Sequence, residues 1–139
     1  MRVRVTRYHD ISCGHRVYQH EGACANLHGH NYRIHFYCEA DQLDELGRVI
    51  DFSVIKKRLC MWLEHQWDHR FLLWERDPIL PAMKDLDTTV VGVPFNPTAE
   101  GIGAHLLNVV GPKQLDGTGV RLTRVFVEET MKCSADCEI

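Results

Sequence analysis

The 139-residue sequence has no long apolar run and no excess of basic residues. No stretch is long and apolar enough to span a bilayer, and the opening Met1–Val5 lacks the apolar core of a signal peptide. There are 16 Lys and Arg against 19 Asp and Glu, whereas nucleic-acid-binding proteins usually carry a basic surplus. We therefore expect a cytoplasmic protein that binds neither a membrane nor nucleic acid.

Repeats, low-complexity tracts and linkers are also missing, which favours a single domain over residues 1–139. The 6 cysteines do not indicate disulfides, because a chain of this length without a signal sequence is expected to keep its thiols reduced. The 9 histidines are many for this length. They invite a metal hypothesis, although histidines scattered over the surface would give the same count.

Hydrophobic periodicity predicts four strands and two helices. The predicted strands cover residues 2–12, 30–40, 121–129 and 132–139, and the predicted helices cover residues 53–67 and 98–110. Prolines in the intervening segment 68–96 are expected to break any helix, leaving short strands at most at 71–74 and 90–93. The order β-β-α-α-β-β implies an α+β fold in which an antiparallel four-stranded sheet carries two helices on one face.

Each predicted helix has one apolar face and a capping residue at its start. Asp51 or Ser53 is expected to cap the first helix and Thr98 the second, which Gly111 and Pro112 should end. The predicted apolar residues are Phe52, Ile55, Leu59, Trp62 and Leu63 in the first helix and Ile102, Leu106, Val109 and Val110 in the second.

The stretch from Cys24 to His30 reads Cys-x-x-x-His-Gly-His and carries the strongest functional signal. His28 and His30 point to the same face of an extended strand, because successive side chains alternate. His15 ends the preceding strand, so a hairpin would bring it to the other two. Three imidazoles suit a catalytic zinc with one open position; the alternative is a pair of polar surface histidines.

Cys24 lies four residues before His28, and several roles fit it. A nearby dication favours the thiolate of a cysteine, which is a base and nucleophile at neutral pH. The same spacing equally fits a structural cysteine or a fourth ligand that closes the zinc site. Cys13 is a second thiol near His15, and packing is its expected role.

Asp68-His69 and Glu129 add acid–base and recognition chemistry. A carboxylate beside an imidazole fixes the tautomer of the ring and raises its basicity, although sequence neighbours need not touch. Glu129 follows Val125 and Val127 on the same side of a strand, where a carboxylate can accept hydrogen bonds from a 2-amino-pyrimidinone edge. An exposed acid at a strand end is the plainer alternative.

These motifs together resemble the 6-pyruvoyl-tetrahydropterin synthase family. The resemblance rests on His15, on Cys24-x-x-x-His28-Gly29-His30, on Asp68-His69, on Pro97-Thr98-Ala99-Glu100 and on Glu129-Thr130, which occur in the order of the family. It covers nearly the whole chain. The three-residue spacer after Cys24 is closest to the bacterial branch, the 6-carboxy-5,6,7,8-tetrahydropterin synthases, which make a precursor of the queuosine base.

The resemblance implies a T-fold (tunnelling fold) whose subunits form a homohexamer, a dimer of trimers with active sites between subunits. It also implies Zn²⁺ bound by His15, His28 and His30, and a lyase acting on 7,8-dihydroneopterin triphosphate with release of acetaldehyde and triphosphate. The implied catalytic residues are Cys24, Asp68 and His69, the last two supplied by a neighbouring subunit, and Glu129 and Thr98 are candidates for binding the pterin.

Two other functions fit the same residues. In the first, the same site carries out a shorter reaction that stops at 6-pyruvoyl-tetrahydropterin. Alternatively, the chain would be a non-catalytic, zinc-stabilised pterin-binding module if Cys24 completed the metal site.

Overall fold

A six-stranded sheet forms the frame of the protein in a computed structural model that describes residues 1–139. The strands are β1 (Val5–His15), β2 (His28–Ala40), β3 (Arg70–Trp74), β4 (Val91–Val93), β5 (Val120–Glu128) and β6 (Ser134–Glu138). The helices are α1 (52–66), α2 (Leu80–Leu86) and α3 (99–114). The order across the sheet is β4-β3-β1-β2-β5-β6.

The predicted α+β class is confirmed, but the sheet has six strands rather than four, and it is not wholly antiparallel. The four predicted strands pair antiparallel, and the two short segments at 70–74 and 91–93 extend the sheet beyond β1 in parallel pairing. Parallel neighbours need a crossover connection, and α2 supplies it between β3 and β4. The expectation that prolines exclude a helix here was wrong, because Pro81 lies in the first turn of α2, where its missing N–H is not needed.

Each long helix contains a wider π-helical turn, at Lys56–Cys60 in α1 and at Leu106–Val110 in α3. A π turn adds a residue to the helical repeat, so a face extrapolated at 3.6 residues per turn drifts out of place. Phe52 and Val109 were predicted on the buried faces but are 52% and 53% exposed, whereas Cys60 and Leu107 are buried. Of the two predicted caps for α1, the structure uses Asp51.

Helix α3 does not end at Gly111 as predicted but continues to Gln114. A Cβ atom on Gly111 would lie 2.4 Å from a methyl carbon of Leu122 in β5. The glycine therefore permits a close approach of helix and sheet instead of ending the helix. Pro112 lies two residues after the end of the π turn, in the first turn of the last helical segment.

The core lies between α1, α3 and one face of the sheet. Alternate residues of β2, from Tyr32 to Cys38, are buried on this face together with apolar residues of the two helices. Full burial of one such side chain contributes about 1.5–3 kcal/mol. His28 and His30 share this alternation, so the strand that builds the core also aims two histidines. No helix in the structure is both long and apolar enough to span a membrane.

Candidate active site

Three histidines meet where β1 ends and β2 begins. His15 is the register partner of His28 across the antiparallel ladder, and His30 pairs with Cys13. The ring centroid of His15 lies 4.5 Å from that of His28 and 5.2 Å from that of His30. The centroids of His28 and His30 are 5.0 Å apart. The hairpin thus brings together the three residues that the sequence marks as candidate ligands.

Backbone carbonyls orient two of these rings. The Nδ1–H of His15 donates to the Pro97 carbonyl at 2.6 Å, and the Nδ1–H of His28 donates to the Asn26 carbonyl at 2.7 Å. A proton on Nδ1 leaves the Nε2 lone pair free, which is the state a metal ligand requires. Burial lowers the pKa of His15 to about 4, although the bond to Pro97 opposes this, and the neighbouring His28 and His30 lower it further. His15 is therefore neutral at physiological pH.

The carboxylate of Glu129 joins the cluster. Its Oε1 lies 2.9 Å from Nε2 of His30 and 3.8 Å from Nε2 of His15. One ligand atom from each of the four residues lies within 4.8 Å of every other. Sequence reasoning placed Glu129 against the pterin and missed this proximity, although the strand alternation with Val127 already put it on the histidine side.

The four residues fit a zinc ion. Nε2 of His30 is buried, and its contact with Glu129 does not have hydrogen-bond geometry, so this polar atom lacks a satisfying partner. Bonds of about 2.0–2.1 Å in a tetrahedral site place ligand atoms roughly 3.3 Å apart. The observed spacing needs only small adjustments to reach this geometry, and three imidazoles are a donor set that zinc accepts readily.

Cys24 lies beside this cluster rather than in it. It is the middle residue of a single 3₁₀ turn, Ala23–Ala25, and is partly exposed. Its thiol is not one of the four converging ligand atoms, so the geometry does not favour Cys24 as a fourth ligand. The charge of Cys24 also helps to raise the pKa of Tyr32, after the larger effects of burial, Glu129 and Cys13. The Tyr32 hydroxyl contacts Nε2 of His15 at 3.2 Å.

The loop that carries Cys24 is tied to the segment that precedes α3. The carboxamide of Asn96 accepts from the N–H of Tyr18 at 3.2 Å and donates to the Tyr18 carbonyl at 3.1 Å. Arg16 forms a bidentate ion pair with Asp77, whose side chain is completely buried. The long segment between β3 and α3 therefore holds the loop in place.

Asp68 and His69 form the predicted dyad. Nδ1–H of His69 donates to Oδ2 of Asp68 at 2.7 Å, and the Ser12 N–H donates to the other carboxylate oxygen at 2.9 Å. Partial burial works to raise the pKa of Asp68, but the bonds from Ser12 and His69 hold it below its usual value. His69 has φ +60°, an uncommon conformation outside glycine that often marks functional positions.

The His69 side chain is 79% exposed, and no hydrogen bond or ion pair connects it to Cys24 within the chain. Asp68, His69 and Glu129 nevertheless line one cavity of 830 Å³, which is within the size range of small-molecule sites. One chain thus assembles the histidine cluster completely but leaves the second acid–base pair facing solvent.

Two other candidate residues have structural contacts. The Thr98 hydroxyl accepts from the Gly101 N–H at 2.9 Å and caps α3, which leaves its predicted contact with substrate untested. The buried Cys13 thiol donates to the carbonyls of Trp67 and Arg70, and burial raises its pKa to about 12. Cys13 therefore packs as a thiol, as predicted.

Comparison with known proteins agrees with these features. Residues 4–139 match the family described as 6-pyruvoyl tetrahydropterin synthase. The chain is 33% identical to the 6-carboxy-5,6,7,8-tetrahydropterin synthase of Rickettsia bellii over 133 residues, which are 94% of this chain and 96% of that one. It is 28% identical to the enzyme of the same name from Aquifex aeolicus, with 98% of each chain covered.

Solved structures show the same fold. An uncharacterised protein of Wolinella succinogenes superposes with a TM-score of 0.85 at 23% identity, covering 99% of this chain and 98% of that one. The 6-pyruvoyl tetrahydropterin synthase of Plasmodium vivax superposes with a TM-score of 0.75 at 20% identity, covering 100% and 99%. The T-fold expectation and the expectation of an enzyme are thereby confirmed. The chain belongs to the 6-pyruvoyl tetrahydropterin synthase family.

Proposed function

We propose that the protein is a zinc-dependent lyase that converts 7,8-dihydroneopterin triphosphate and water to 6-carboxy-5,6,7,8-tetrahydropterin, acetaldehyde and triphosphate. The convergence of three imidazoles, with Cys24 on the loop that leads into β2, is the observation that carries the proposal. The relatives that bear the name of this activity match almost the whole chain. The product is that of the branch that feeds queuosine synthesis.

In this proposal His15, His28 and His30 hold the zinc through Nε2. The bound ion supplies Lewis acidity, which makes the hydroxyl and adjacent C–H groups of the substrate side chain more acidic. Burial keeps His15 neutral, and the two carbonyl contacts fix the orientation of the His15 and His28 rings, so the ligands need little rearrangement.

Cys24 and His69 are assigned to move protons on opposite sides of the substrate side chain. The Cys24 thiolate takes a proton from a carbon or hydroxyl group next to the metal site. His69, held by Asp68 in the tautomer with its Nε2 free, accepts or returns protons on the other side. Proton removal allows triphosphate to leave by elimination, and carbon–carbon cleavage follows.

The exposed position of His69 supports an active site shared between neighbouring subunits. Within one chain, Cys24 and His69 make no mutual contact, although the proposed reaction needs both at one substrate. A homohexamer, arranged as a dimer of trimers, would bring the Asp68-His69 pair of one subunit to the Cys24 of another. Glu129, from the metal-binding chain, would accept hydrogen bonds from the amino-pyrimidinone edge of the pterin.

Replacement of Cys24 by alanine tests the enzyme assignment. We expect Cys24→Ala to reduce turnover by at least about 10²–10⁴-fold, the usual contribution of a general acid–base group, while the bound zinc stays unchanged. Cys137→Ala is the matched control, because Cys137 is another free thiol, on β6, and should keep full activity. Full activity of Cys24→Ala would exclude the proposed role of Cys24.

A 6-pyruvoyl-tetrahydropterin product is the second candidate, favoured by the similarity in fold to the Plasmodium vivax enzyme. Mass analysis of the reaction products separates the two, since only the carboxy product is accompanied by acetaldehyde. The non-catalytic module is less favoured, because Cys24 lies outside the group of four ligand atoms.

A further inference from the structure

Glu129 lies immediately after β5 and directs its carboxylate to the histidines. Its side chain is 20% exposed, and its backbone N–H donates to the Cys133 carbonyl at 3.1 Å, which fixes the turn at this point. The preceding residue, Glu128, takes a different direction and contacts Nε2 of His35 at 2.5 Å. The two adjacent glutamates thus contact different histidines, Glu129 the cluster and Glu128 His35.

The contact between Glu129 and His30 is not an ordinary hydrogen bond. The two atoms are 2.9 Å apart, yet Nε2 of His30 has no hydrogen-bond partner. His15 and His28 already have their Nδ1 protons bound to carbonyls. Three imidazoles and one carboxylate therefore direct polar atoms at one point, and a cation there would give Nε2 of His30 and Oε1 of Glu129 a common partner.

We propose that Glu129 is the fourth protein ligand of the metal before substrate binds, and that the pterin displaces it. This inference rests on the proposed function, in which the same carboxylate anchors the pterin ring. The two oxygens of one carboxylate cannot coordinate the metal and accept both hydrogen bonds from the pterin at the same time. Substrate binding therefore draws Glu129 away from the metal and exposes the open position only when a pterin is present.

Metal binding in the absence of turnover tests this proposal. Wild type, Glu129→Gln and Glu128→Gln are stripped with a chelator and titrated with Co²⁺ alone, and the visible spectrum and dissociation constant are measured. We expect Glu129→Gln to bind Co²⁺ at least about tenfold more weakly, given that even outer groups contribute 10–100-fold. Its spectrum should differ from that of wild type. Glu128→Gln, the matched control, should behave as wild type.

Wild-type protein provides a second measurement that needs no variant. Addition of 7,8-dihydroneopterin to the Co²⁺ protein should shift its spectrum towards that of Glu129→Gln, because the carboxylate leaves the metal. Equal affinities and equal spectra for wild type and Glu129→Gln, in a wild type that is active, would overturn this inference alone. A wild type that takes up neither Co²⁺ nor Zn²⁺ would overturn it together with the proposed function.

Discussion

The two halves of the candidate site differ in how they are held. The histidine half lies on two paired strands, with His15 only 2% exposed and braced by a buried carbonyl contact. The acid–base half lies at the start of β3, where the His69 side chain is 79% exposed. A ladder of backbone hydrogen bonds can fix a ligand set within one chain. The exposed half leaves His69 accessible to a second chain, as the proposed shared site requires.

Among the substitutions that test this comparison, loss of a metal ligand should have the largest effect on activity. We expect His28→Ala to lose most of its bound zinc and to reduce activity to background, because one of the three imidazoles that the proposal assigns to the metal is missing. Metal analysis of the purified protein and a turnover assay check this result. His35→Ala is the control, since His35 contacts Glu128 rather than the cluster. Retention of full zinc content by His28→Ala would contradict the assigned ligand set.

Loss of the exposed imidazole should affect activity without affecting the metal. We expect His69→Asn to lower kcat by about 10²–10⁴-fold, with zinc content and melting temperature unchanged because the ring makes few packing contacts. Asparagine also tolerates the positive φ at this position. If the site is shared between subunits, a mixture of His69→Asn and Cys24→Ala chains should recover part of the activity. No recovery in mixed oligomers would argue for a site within one chain.

Loss of the buried ion pair between Arg16 and Asp77 should lower the stability of the fold. Asp77→Asn leaves Arg16 without its charge partner, and breaking a buried ion pair costs about 3–5 kcal/mol, which denaturant unfolding would measure. Burial works to raise the pKa of Asp77, but the ion pair with Arg16 and a bond from the Ile79 N–H hold it below its usual value. Its contribution is therefore present at neutral pH and lost as the pH falls through the folded-state pKa. The difference between wild type and Asp77→Asn should shrink in acid.

The smallest effect is expected at Thr98. Thr98→Ala should lower the free energy of unfolding by about 1 kcal/mol through the loss of the α3 cap, and Thr98→Ser should restore it. A raised KM for Thr98→Ala, with KM normal in Thr98→Ser and stability equal in both, would instead show that the hydroxyl binds substrate.

The sequence predicted the histidine cluster because strand alternation is a local rule, and the hairpin that joins β1 and β2 has a simple register. It also predicted the α+β class and the caps Asp51 and Thr98. Features that depend on distant contacts escaped it. The π turn at Leu106–Val110 moved Val109 out of the buried face, since nothing local reports an inserted residue. Phe52 is exposed because it is the first residue of α1, at the end of the buried face.

The pairing of the two short strands is another example, because both segments were predicted as possible strands but not as part of the main sheet. Residues 70–74 and 91–93 are too short to establish a sheet by pattern alone, and their parallel pairing depends on β1, which lies far away in sequence. The proximity of Glu129 to the histidines likewise depends on how β5 meets β2. Alternation gave its side correctly, but the partner atoms became visible only in three dimensions.

The bond from His15 to the Pro97 carbonyl couples the site to the architecture. Gly101 permits it, because a Cβ atom there would lie 2.6 Å from the Asn96 carbonyl oxygen and push the turn before α3 outwards. The His15 ring thus offers Nε2 as a candidate metal ligand, while its Nδ1 holds the segment that leads into α3. A metal ion that binds only the folded chain raises the free energy of unfolding. The melting temperature should therefore report the fraction of chains that carry a metal ion at this site.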